Sequence, residues 1–116
     1  MTADTRKTLE ACAKMMGLQF NPTVKLKSGL HIVHPEADCQ SHTYYWNPLT
    51  SVADAAELAI KLKIDVQWDE KNQNLFANKF EHSVGAVVFF KDHPSEQLAY
   101  CYAVCKVAEQ LSERGM

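Results

Sequence analysis

The stretch from Trp46 to Trp68 constrains the fold of this chain more than any other. Trp46-Asn47-Pro48-Leu49 leads into Thr50 and Ser51, with Asp54 three places after Ser51. That is a workable helix start, because a serine oxygen at the N-cap accepts from a first-turn amide. Val52, Ala55, Ala56, Ala59, Ile60 and Leu62 then recur at helical spacing, with Asp54, Glu57, Lys61 and Lys63 largely elsewhere, which predicts a helix with one apolar face. Directly after it, Ile64, Val66 and Trp68 alternate with Asp65 and Gln67, the period of a strand with one buried side. Elements that are apolar on one side only must be buried against further layers.

The flanking sequence supplies those layers. The polar run Asp69 to Asn74 predicts a turn, and Leu75 to Phe80 the returning strand of a hairpin. Val84 to Phe90 is apolar at both parities and predicts a central strand covered on each side. Near the amino end, Leu9, Cys12, Ala13 and Met16 have helical spacing, and Gly17 is a good terminator, so Thr5 to Met16 is expected to be a first helix. Asp92-His93-Pro94 predicts the start of a last helix whose buried stripe is Leu98, Cys101, Tyr102, Cys105, Ala108 and Leu111. Between them, Leu18 to Trp46 is punctuated by Pro22, Gly29 and Pro35 and reads as short strands or extended loop, closing on the aromatic run Tyr44-Tyr45-Trp46. The expected fold is α+β: a single domain over residues 1–116, layered as an α-β-α sandwich of three helices and a small, mainly antiparallel sheet.

Composition removes several function classes. Hydrophobic residues make up 47% of the chain and charged residues 22%, the balance of a packed domain. A net charge of -2 leaves no excess of Lys and Arg to neutralise a phosphate backbone, so bulk nucleic-acid binding is not expected. No apolar run approaches the roughly 20 residues that span a bilayer, and Met1 to Lys14 is charged throughout, so neither a membrane span nor a leader is expected and the cytoplasm is the expected location. Four unequally spaced cysteines without a secretory signal fit reduced thiols.

One cluster carries possible chemistry: His31, His34, Cys39 and His42, with Glu36 and Asp38 among them. These are ligand types of a tetrahedral zinc site, and they are the candidate metal ligands. The spacing matches no standard zinc finger, and His-x-x-His on a strand would send its two rings to opposite faces. His31, His34, Tyr44 and Tyr45 are also the candidate ligand-binding residues. Cys101 and Cys105 share a helix face among apolar neighbours, where core packing is the expected role. No catalytic residues are assigned: Gly-x-Ser-x-Gly, Ser-x-x-Lys, a Walker A loop and Gly-x-Gly-x-x-Gly are all absent from the sequence.

Trp46-Asn47-Pro48-Leu49-Thr50 followed by Asp54-Ala55-Ala56-Glu57-Leu58-Ala59 and Ile60 to Ile64 resembles the phage ABA sandwich domain family. In that family a Trp-Asn-Pro-Leu segment leads into an Ala- and Leu-rich helix with an Asp-Ala pair. Asp92 to Glu109 resembles its carboxyl-terminal helix, whereas Pro22 to Ser41 matches nothing in it. The resemblance implies a bacteriophage or prophage protein and a helix-sheet-helix sandwich, and carries no activity with it. The leading expectation is therefore a non-enzymatic phage accessory protein in the bacterial cytoplasm, without a cofactor. It would bind a host protein or small ligand, with antagonism of antiviral defence as one such role. Two alternatives stand beside it. One is a small metal-dependent hydrolase using His31, His34, Cys39 and His42, with zinc as its metal. The other is a phage structural or assembly protein, for which a homo-oligomer is expected because a small sheet leaves edges to pair.

Overall fold

The computed structural model describes residues 3–20, 30–33 and 43–115, which form three helices and two three-stranded antiparallel sheets. The order is α1 (Ala3–Met16), β1 (Gln19–Phe20), β2 (Leu30–Val33), β3 (Thr43–Trp46), α2 (Val52–Leu62), β4 (Asp65–Asp69), β5 (Asn74–Lys79), β6 (Val84–Phe89) and α3 (Glu96–Glu113). The α+β class with three helices and antiparallel sheet, expected from the patterning, is the class the chain adopts. Leu18 to Trp46 contributes the short strands β1, β2 and β3, which pair in that order as one sheet.

The segment that anchors the sequence reading folds as its chemistry dictates. Trp46 is 1% exposed and sits in the core. Asn47 Oδ1 accepts from the Leu49 amide at 3.0 Å, closing a local turn around the buried Pro48. Ser51 Oγ accepts from the Asp54 amide at 3.3 Å as the N-cap of α2, and Asp54 Oδ2 accepts from the Asn47 amide at 3.0 Å. The burial of Trp46 makes the segment a folding device and removes its ring from any surface role.

β4, β5 and β6 form the second sheet with β5 in the middle. Leu75, Ala77, Val84 and Val88 are buried on one face, and α3 packs against β5 and β6 there. On its other sides α3 meets α1 and α2, so it is the hub of the domain, with Ala99, Ala103, Val104, Cys105, Val107, Ala108 and Leu111 all in one core cluster.

Three expectations change. Among the described strands the apolar run at Val84 to Phe90 is not central: β6 is an edge of its sheet, with one face on α3 and Val87 and Phe89 exposed on the other. Apolar residues at both parities signal two apolar faces, but they do not say that both are covered. The last helix starts later than Asp92, because Phe90–Asp92 forms a 3₁₀ turn and Ser95 supplies the N-cap, its Oγ accepting from the Leu98 amide at 3.1 Å. Tyr102 lies outside the buried stripe, against His93 at a ring separation of 4.9 Å.

Candidate functional site

The His-rich stretch is placed only in part. His31 lies in β2 directly opposite Tyr45 in β3, and Tyr44 lies opposite Ile32, so the register brings His31 and Tyr45 to one cross-strand position. His34, Cys39 and His42 fall outside the described residues, and with them the zinc site and the hydrolase built on it. Among the described residues there is no group of three or more His, Cys, Asp or Glu positioned to hold a metal ion. Nor does any described helix have the length and apolarity to cross a membrane.

The cysteines of α3 are core residues, as their spacing suggested. Cys12, Cys101 and Cys105 are buried and free, and Cys12 Sγ donates to the Cys105 carbonyl at 3.7 Å. Burial raises the Cys101 thiol. It raises Cys105 well above the ordinary range, helped by the hydrogen bond and charge of Cys12. A thiolate is the reactive form, so both are poor nucleophiles at neutral pH.

The most unusual surface is one the sequence reading passed over, the outer face of the β4–β6 sheet. The pairings Phe76 with Val87 and Asn74 with Phe89 put an apolar row across that face, and Phe80 follows at the end of β5. Phe80 is 67% exposed, Val87 55% and Phe89 42%. Phe76 leans over Gly85, where a Cβ would meet its Cε2 at 2.9 Å, so only glycine leaves that ring its place. A shallow pocket of about 370 Å³ opens here, lined by Phe76, Asn78, Phe80, Ser83, Gly85 and Val87.

Asn78 is the exception in this apolar setting. It is 1% exposed, and among the described residues neither its side-chain oxygen nor its nitrogen has a hydrogen-bond partner. Burying an unpaired carboxamide costs about 1–3 kcal/mol, which native proteins rarely tolerate without a use. The available signal was Asn78 between Phe76 and Phe80 at period two, a polar residue in an aromatic row. Because it sits within a strand pattern of weak alternation, it reads as an outward polar position until the burial is known.

Comparisons of the chain with protein family models, with curated proteins and with solved structures find no match.

Proposed function

We propose that the protein works by binding and not by catalysis, capturing a small ligand at the Asn78 pocket on the outer face of the β4–β6 sheet. Asn78 carries this reading, as a buried carboxamide with a free donor and a free acceptor beside Phe76 and Phe80. The matching ligand is planar, presents an adjacent acceptor and donor on one edge, and offers flat faces to aromatic rings; nucleobases and primary carboxamides have this chemistry. The pocket volume lies within the range of small-molecule sites, about 300–1,000 Å³. The ligand reaches the amide by displacing a neighbouring ring such as Phe80, which is two-thirds exposed at 67%. The likeness of Trp46 to Ile64 to the phage sandwich family supports placing such a protein among phage accessory factors, where ligand capture in the bacterial cytoplasm would act on a host process.

Titration calorimetry with adenosine, cytidine, their nucleotides and nicotinamide tests the reading, comparing the natural protein with Asn78→Leu. Saturable binding to at least one probe, lost in Asn78→Leu, is expected. No heat from any probe, or equal binding by the variant, overturns it.

A further inference from the structure

We infer that β6 is a dimerisation edge, pairing antiparallel with β6 of a second copy across a two-fold axis at Val88. The inference starts from Gln110. Its Nε2 donates to the Gly85 carbonyl at 3.0 Å, and its Oε1 accepts from the Gly85 amide at 3.2 Å. A side-chain carboxamide is here doing what the peptide of a neighbouring strand would do. The backbone groups of Gly85 therefore point away from β5. The Phe90 amide, five residues on, donates back toward β5 at Gln73, 3.0 Å away. Backbone groups alternate sides along an antiparallel strand. Val87 and Phe89 thus share the parity of Gly85, and their amides and carbonyls face the open edge. Among the described residues no strand lies on that side.

Three observations select a second copy as the occupant. First, the free edge is two dyads long, Val87 and Phe89, closed on one side by the Gln110 cap and on the other by the 3₁₀ turn at Phe90–Asp92. An antiparallel copy centred on Val88 pairs Val87 with the partner's Phe89, and Phe89 with the partner's Val87. It uses both dyads, and its strand turns away before it meets the cap. Second, edges that remain free are usually protected by a charge or a proline, and β6 reads Val-Gly-Ala-Val-Val-Phe with neither. Two copies thus meet without like charges opposed. Third, the side chains that become neighbours are the exposed Val87 and Phe89, at 55% and 42%, and an aromatic opposite a β-branched residue is a favourable cross-strand pair. The product is one six-stranded sheet whose outer apolar face is continuous over both copies.

Two measurements on the full chain decide it. Light scattering after size exclusion should show a dimer whose fraction rises with protein concentration, and Val87→Pro should be monomeric. Proline at 87 removes an amide that makes no bond to β5, so the sheet is retained, as far-ultraviolet circular dichroism would show. Val87→Lys serves the same purpose by adding an edge charge and should also be monomeric. Amide hydrogen exchange at Val87 and Phe89 should slow at least tenfold between the dilute monomer and the concentrated dimer, while Gly85, already held by Gln110, is unchanged. A monomer at millimolar concentration, a dimer that survives both variants, or exchange at Val87 and Phe89 independent of concentration overturns the inference.

Discussion

Asn78 and Cys105 show how single buried groups set measurable behaviour in this protein. Among the described residues the Asn78 side chain has no hydrogen-bond partner, so Asn78→Leu removes a desolvation cost while keeping the same branched arrangement of four heavy atoms. The expected result is a gain of about 1–3 kcal/mol in urea unfolding, paired with the loss of binding described above. A residue kept for function and against stability has this signature, whereas a gain in stability with binding intact would leave Asn78 without a role. Cys105 acts through pH. Burial keeps its proton on in the folded state, and in the unfolded chain it titrates near the ordinary thiol value of 9.0. Above that value the unfolded state holds fewer protons than the folded one, so stability falls as pH rises toward the raised folded value. Unfolding followed on either side of pH 9.0 should show this alkaline decline, and Cys105→Ala should make it shallower, with the raised Cys101 thiol keeping part of it.

Among the elements, those whose boundaries are set by local chemistry were the ones legible in the sequence. α2 begins at Val52 because Ser51 caps it, and α1 ends where Gly17 takes a φ of 73°, a conformation that costs glycine little. Ser51→Ala should therefore cost about 0.5–2 kcal/mol by denaturant unfolding, with the slope of the transition unchanged. The start of α3 misled because Asp92 and Pro94 are good first-turn residues, yet Ser95 offered a cap as well, and the 3₁₀ turn at Phe90–Asp92 uses up the earlier residues. The position of β6 was illegible for a different reason. Strand order is decided by which strand pairs with which, and an apolar run at an edge cannot be told from one at the centre without the partner. The candidate site shares this limit: Phe76, Asn78, Gly85 and Val87 become one surface only through the β5–β6 register.

At the scale of the whole molecule, α3 holds the layers together, and its link to α1 is partly ionic. Glu109 on α3 accepts from the Thr8 hydroxyl on α1 and from Lys106 Nζ, the latter at 3.2 Å. Burial works against its ionisation, but these hydrogen bonds and the Lys106 charge outweigh it, and its carboxyl is held below the ordinary value of 4.5. The unfolded chain then takes up this proton first as pH falls. The stabilisation from Glu109 is complete above pH 4.5 and is lost as pH falls through the lowered folded value. Glu109→Gln should be less stable than the natural protein at neutral pH and close to it in acid, so that the two unfolding midpoints converge as pH is lowered. Lys7 and Glu113 provide the control across the same helix pair. They lie 3.8 Å apart with side chains 71% and 57% exposed, where water and salt weaken an ion pair. Lys7 also contributes the smallest of the charges that lower Glu109, so Lys7→Ala should weaken the acid dependence far less than Glu109→Gln does. A parallel offset between the Glu109→Gln and natural curves at every pH would mean that Glu109 serves only as a packing residue and that the α1–α3 contact is held by its apolar core alone.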